Sequence, residues 1–259
     1  MAVPDIRIKF FLPALLAAWF SLGWALDASP GAAGELWEKG ELLAGEDFSG
    51  DLSNWLSEGD VRAGIEQGRL RFEALEQTEV KKGNVWWKKE FAGPLLIEYD
   101  YQSATPYGLS MIWFLARGKQ GEDLLSFTRS GVYDEYVKGR INGYHISYHR
   151  FDSGVSNLRK SYGFHMLATN DDPVPIDNLE SHHIAIYCRQ GRIRFMVDGK
   201  PVHDFIDRGQ PCLEGKAWLH DYPCKGTGAV FTEGKIGIRH TQKQVAYYDN
   251  FRVYRLVKP

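Results

Sequence analysis

The sequence predicts an all-β protein folded as a two-sheet sandwich. Three observations carry that prediction. Apolar and polar residues alternate in many short segments after Glu46, glycines punctuate those segments throughout, and long segments with helical periodicity are missing. Many short strands bury their apolar faces most economically in two packed sheets.

The first segment lies outside that pattern. "MAVPDIRIK" is a short basic stretch, "FFLPALLAAWFSLGWAL" an apolar run interrupted by Pro13, and small residues follow at Gly23, Ala25 and Ala28. This is the layout of a secretory signal peptide. Residues 1–28 are therefore expected to be removed, leaving one sandwich domain over 29–259. The mature chain is expected to be secreted or periplasmic, with no stable membrane span.

The strands follow in order. "GRLRFEAL" sets Leu70 and Phe72 on one face, and "LLIEYDYQ" sets Leu95, Ile97, Tyr99 and Tyr101 against Glu98, Asp100 and Gln102. "LSMIWFLA" is apolar on both faces and reads as a central strand. "RGKQGEDLLSFTRSGVYDEYVKGR", from Arg117 to Arg140, is too long for a plain loop and is expected to carry a short helix or a function, over one rim of the sheet. In "RIRFMVDGKPVHDF", Ile193, Phe195 and Val197 alternate up to Asp198-Gly199, the signature of a type I′ turn. "GKIGIRH" and "AYYDNFRVYRL" complete the pattern. "EDFSGDLSNW" and "YYDNFRVYRL" resemble the first and last strands of concanavalin-like jelly rolls, whose chain ends lie together.

Composition narrows the partners. Charged residues are 25% and the formal net charge is −2, with no basic block, so nucleic acid is not an expected partner. Aromatic residues are 14%, which serves either sugar stacking or a sandwich core. Of the three cysteines, Cys188 reads as a buried free thiol. Cys212 and Cys224 bracket a short loop and are expected to pair in an exported chain. That closure would contribute about 3 kcal/mol. No cofactor or metal is expected. The pairs His182-His183, His203-Asp204 and His220-Asp221 lack ligand spacing, and "TNDDP" reads as a solvated turn rather than a calcium loop.

The segment "NGYHISYHRFDSGVSNLRKSYGFHM" reads as a hairpin with one polar face. Alternation puts His145, Ser147 and His149 together, and Asn157, Arg159 and His165 with them if no bulge intervenes. Tyr144, Ile146 and Tyr148 take the core face. Such a polar face attracts anions and moves protons near neutral pH; an edge hairpin protected by charge is the plainer reading.

"NGYHISYHR", "NLRKSYGFH" and "GKIGIRH" resemble the YesU-like family of mostly uncharacterised bacterial proteins. The resemblance spans most of the chain from "LLIEYDYQ" onward. It covers His145, Ser147, Tyr148, Arg150, Asn157, Leu158, Arg159, Lys160, Gly163, Phe164, His165 and Arg239; His149 departs from it, an aromatic being more usual there. The family's founding member lies in a rhamnogalacturonan-utilisation cluster and adopts a concanavalin-like sandwich. The resemblance thus implies that fold and work on cell-wall glycans, and it implies no particular reaction.

Three activities fit these residues. β-Elimination on an acidic polysaccharide or oligosaccharide needs groups that hold a uronate carboxylate, a base and an acid. Ser147, Asn157, Arg159, Lys160 and Arg239 are the candidates for binding, with Trp113 for stacking. His145 or His165 is the candidate base and Tyr148 the acid. Because alternation puts Tyr148 on the core face, Tyr133 or Tyr136 from the long loop is the substitute. Hydrolysis by two carboxylates is the second activity, but the E-x-D-x-x-E spacing is absent and Glu98 with Asp100, or Asp134 with Glu135, are the nearest pairs. Binding without chemistry is the third, with Trp86, Trp87 or Trp113 as stacking platforms.

Overall fold

The alternating segments form strands, and they sort into two sheets because each has one apolar face. The computed structural model describes residues 37–75, 82–137, 140–161, 165–209 and 229–258. The proposed signal peptide and the Cys212–Cys224 pair, like His220, lie outside the described residues. Among those described, the strands are β1 (Glu38–Glu46), β2 (Trp55–Gly59), β3 (Val61–Glu66), β4 (Arg69–Ala74), β5 (Gly83–Ala92), β6 (Leu95–Ser103) and β7 (Leu109–Gly118). A 3₁₀ turn (Leu124–Ser126) and α1 (Tyr133–Val137) follow. Then come β8 (Ile141–Tyr148), β9 (Val155–Ser161), β10 (His165–Asp171), β11 (Ser181–Arg189), β12 (Arg192–Val197), β13 (Lys200–Ile206), β14 (Glu233–Thr241) and β15 (Val245–Val257).

All pairings are antiparallel. One sheet has the order β13-β12-β11-β6-β15-β4-β3, with β1 also pairing β15; the other has the order β10-β9-β8-β7-β14-β5-β2. The long β15 makes the first sheet continuous. Its start pairs β4 and its end pairs β1, from Glu46↔Phe251 to Glu38↔Val257. The two ends of the sandwich chain therefore meet, as the jelly-roll reading requires. The strand that meets β15 precedes "EDFSGDLSNW", which is instead the crossover into the second sheet. Within it Asp47 and Asp51 accept the Ser49 and Ser53 amides at 3.0 and 2.8 Å, so short polar side chains close the turns.

The type I′ turn between β12 and β13 forms, with Asp198 and Gly199 at φ of 50° and 73°. Between the sheets lies a core of Phe72, Tyr99, Ile112, Ile146, Phe195 and Val253, all fully buried. Trp55 stacks on Trp87 at 5.1 Å and Tyr99 on Phe251 at 4.8 Å. Removing each such ring from water contributes about 1.5–3 kcal/mol. Cys188 is buried there as a free thiol. The core also admits hydroxyls, because each finds a partner: Tyr99 bonds Tyr148 at 3.0 Å and Tyr101 bonds Ser110 at 2.9 Å.

The long connection between β7 and β8 carries the 3₁₀ turn and α1, and it crosses the outer face of the second sheet. It is fastened at the far edge, where Lys82 N donates to Gly131 O at 3.0 Å. Only glycine suits that crossing. Gly131 has φ of 91°, and a Cβ there would stand 2.3 Å from the Lys82 carbonyl oxygen. Leu124, Tyr136 and Ile141 then bury Trp86 and Trp113 from outside.

Candidate functional site

Strand register lines up two rows of side chains across the outer face of the seven-stranded sheet. The first row runs Met166, Arg159, His145, Trp113, Gly237, Trp86, Leu56. The second runs Thr169, Asn157, Ser147, Met111, Arg239, Asn84, Glu58. Facing residues share one side of a sheet, so strands distant in sequence contribute to one surface.

The first row is shaped by rings. Gly237 lets Trp86 lie flat across β14, since a Cβ there would be 2.2 Å from the indole. Trp86 reaches Trp113 at 6.2 Å, and the His145 ring stacks on Trp113 at 4.2 Å. Trp113 is thus a wall that orients His145. Burial pushes the His145 pKa well below the usual imidazole range, and the Arg159 and Arg239 guanidiniums push it further the same way. The imidazole is neutral at pH 7.

Arg159 and Arg239 are 4% and 1% exposed. Burial lowers Arg159 to about 10. Arg239 lies under the Tyr136 ring at 4.2 Å and makes long contacts to Asn84 Oδ1 at 3.4 Å and Gly131 O at 3.5 Å. Above them stands half-buried Tyr133, the first residue of α1. Burial pushes its phenol up to about 12, while Arg159, Arg239 and Arg150 pull it back down. Tyr133, His145, Arg159 and Arg239 thus share one electrostatic neighbourhood.

Glu58 closes the second row. Its carboxylate receives Arg129 Nη2 at 2.5 Å, Trp86 Nε1 at 3.2 Å, Asn84 Nδ2 at 3.4 Å and the Tyr136 hydroxyl. One side chain therefore ties β2 and β5 to the overlying segment. Ser147 Oγ accepts the Asn157 amide at 3.2 Å, which fixes the hairpin register at the site.

A family model described as a domain of unknown function, DUF1961, matches residues 44–253. The chain belongs to the DUF1961 family. It is 30% identical over 220 residues to the uncharacterized protein YesU of Bacillus subtilis (strain 168), covering 80% of this chain and 92% of YesU. It is also similar to a Bacillus subtilis protein of unknown function with a galectin-like fold: TM-score 0.74, 27% identity, 86% of this chain and 100% of the other. The endo-β-1,3-glucanase of Pyrococcus furiosus shares the fold at TM-score 0.56 and 13% identity, over 88% and 97% of the two chains.

In this DUF1961 chain the structure brings together His145, Ser147, Asn157, Arg159, Arg239 and Trp113. Three other candidates are elsewhere. Tyr148 is in the core, fully buried and bonded to Tyr99, so it cannot serve as the acid. Lys160 alternates with Arg159 and projects into the sandwich, where its Nζ meets Asp207 at 2.6 Å with both side chains fully buried. His165 pairs with Lys160, not Arg159, and so takes the core face beside that ion pair. The Lys160↔His165 pairing sets an odd-numbered residue opposite an even-numbered one, which reverses the parity that alternation alone would assign to His165.

Most other residues singled out in the sequence are engaged elsewhere. Trp87 is core, Trp86 is roofed over, and the Trp113 ring is taken up by His145 and by its packing with Leu124 and Tyr136, so none offers an open stacking face. His149 leaves the polar face at φ of 48° and bonds Ser103 and Thr105 inside the sandwich. Glu98 and Asp100 lie on the other sheet, engaged by Lys39 and by His183 with Asn250. In "TNDDP", Asp172 spends its oxygens on the amides of His149, Arg150 and Val174. His182 bonds Asp198, and His203 sits between Ser156 and Asn170; among the described residues no cluster of three metal-ligating side chains occurs. Sequence reasoning missed Glu58, Arg129 and Asn84. Their one local signal is Glu58 at a strand end, and their meeting depends on the long connection folding back.

Proposed function

We propose that this DUF1961 protein is an exported, carbohydrate-active protein that cleaves an acidic cell-wall polysaccharide by β-elimination at a uronic acid. The observation that carries the reading is the convergence of two buried guanidiniums, Arg159 and Arg239, with neutral His145 and protonated Tyr133. A sandwich shared with a glucanase supports a glycan as the ligand class.

Each group has a role. Arg159 and Arg239, with Asn157, hold the uronate carboxylate and stabilise the enolate-like charge that grows on it. His145 removes the C5 proton; the C–H electrons become the C4–C5 double bond, and the C4–O bond breaks toward the leaving oxygen. Tyr133 donates the proton to that oxygen, and the resulting phenolate regains one as His145 releases its own. At neutral pH the base starts unprotonated and the acid protonated, as the reaction requires. Hydrolysis by paired carboxylates has less support, because the two rows hold one carboxylate, Glu58, and four donors occupy it.

The test is incubation with rhamnogalacturonan, ulvan, alginate and pectin, following unsaturated-uronate absorbance and reducing ends together. Both rising establishes elimination. Reducing ends without absorbance replace it with hydrolysis, and gel retardation without either signal replaces it with binding.

A further inference from the structure

One buried polar network lies outside the chemistry above. Ser103, Thr105, His149 and Gln244 interlock at one end of the sandwich. His149 Nε2 lies 3.0 Å from both Ser103 Oγ and Thr105 O, and Gln244 Nε2 donates to Ser103 Oγ at 2.8 Å. Nearby, Asp172 accepts the amides of His149 and Arg150 at 3.0 and 2.7 Å. Together these bonds fix two loop tips, one following β6 and one following β8, and Phe151 N donates to Gly108 O at 3.0 Å to join them.

Each tip presents an aromatic ring to solvent. Tyr107 is 44% exposed and Phe151 61%. An exposed ring on a loose loop is ordinary, but these stand on loops tied down by buried, hydrogen-bonded polar side chains. A pre-ordered ring binds at little entropic cost. The tips also continue the site. Tyr107 precedes Met111 of β7 by four residues and Phe151 follows Ser147 of β8 by four, a reach of at most about 14 Å of chain. Between them and the reacting groups is Arg150, whose charge acts on both Tyr133 and Arg159.

We infer that Tyr107 and Phe151 form a stacking subsite for pyranose rings of the same glycan chain, a few units from the uronate held by Arg159 and Arg239. His149 and Gln244 are positioning residues for it. The inference rests on the proposed site and names its substrate as an extended polymer rather than a mono- or disaccharide.

The experiment compares wild type with the Tyr107→Ala/Phe151→Ala double variant in affinity gels. The gels contain polygalacturonate, alginate, or neutral laminarin and galactan, with galacturonate disaccharide as competitor. The expected result is a roughly ten-fold weaker retardation of the variant by the acidic polymer, with unchanged competition by the disaccharide and unchanged melting temperature. Equal loss for polymer and disaccharide, or no loss, overturns the subsite. Retardation by a neutral glycan alone, lost in the variant, keeps the subsite and removes the acidic reading. No retardation of wild type by any glycan overturns both. His149→Ala should weaken polymer retardation without weakening disaccharide competition; a purely structural His149 would lower only the melting temperature.

Discussion

Arg159 on β9 stands directly across the ladder from His145 on β8, and both side chains are buried on the outer face of the seven-stranded sheet. A cation beside an imidazole disfavours the imidazolium, so the pair keeps a base neutral while holding a positive charge next to it. That combination suits a carboxylate whose neighbouring proton is to be removed.

Under the proposed elimination, Arg159→Ala should lower kcat/KM by at least about 100-fold, the scale of losing one charge-stabilising donor. Arg159→Lys should recover little, because an ammonium lacks the planar two-pronged donor. Steady-state kinetics check both, and wild-type turnover by Arg159→Ala removes the carboxylate clamp.

Two tyrosines separate chemistry from packing. Tyr133→Phe should reduce kcat and leave the melting temperature unchanged. Tyr148→Phe should do the reverse, since it forfeits buried hydrogen bonding in the core, including the bond to Tyr99, at about 1 kcal/mol per bond. Loss of turnover in Tyr148→Phe with normal stability would return the acid's role to Tyr148.

The pH profile follows from His145. Its pKa is depressed, so it stays unprotonated as pH falls below 6.5, and kcat/KM should show no inflection near that pH. An acid limb centred at 6.5 would show an ordinary solvated histidine acting as base.

Stability has the opposite exposure to acid. Burial lowers His203 to about 4 and His240 to about 3. Below pH 6.5 the unfolded chain binds protons there that the folded chain does not, so stability falls as pH drops from 6.5 toward those values. Each group contributes a slope of about 1.4 kcal/mol per pH unit within that window. Urea unfolding at pH 7, 6 and 5 measures it, and His203→Asn should flatten the slope. An unchanged slope in that variant would place the linkage elsewhere.

The Lys160–Asp207 pair tests the core reading of Lys160. Lys160→Met should destabilise by about 3–5 kcal/mol, because a buried carboxylate loses its counter-charge. Lys160→Met with Asp207→Asn should recover part of that loss. Denaturant unfolding of the single and double variants decides it; a single variant as stable as wild type would place Lys160 at the surface.

Period-two alternation needs no knowledge of the rest of the chain, because the two sides of a strand are set by backbone geometry. It therefore placed His145 with Ser147, Asn157 with Arg159, and Tyr148 in the core. A long connection with too many residues for a loop announced its own helix. Tertiary structure decided what alternation cannot reach. Strand register carried His165 to the core beside Lys160, since parity survives only where pairing keeps step. Chain crossing brought Tyr133 and Arg239 to His145, and folding back of one segment put Arg129 and Tyr136 on Glu58. Such meetings join residues far apart in sequence. They depend on which strand neighbours which, a property of the whole sandwich and of no single segment.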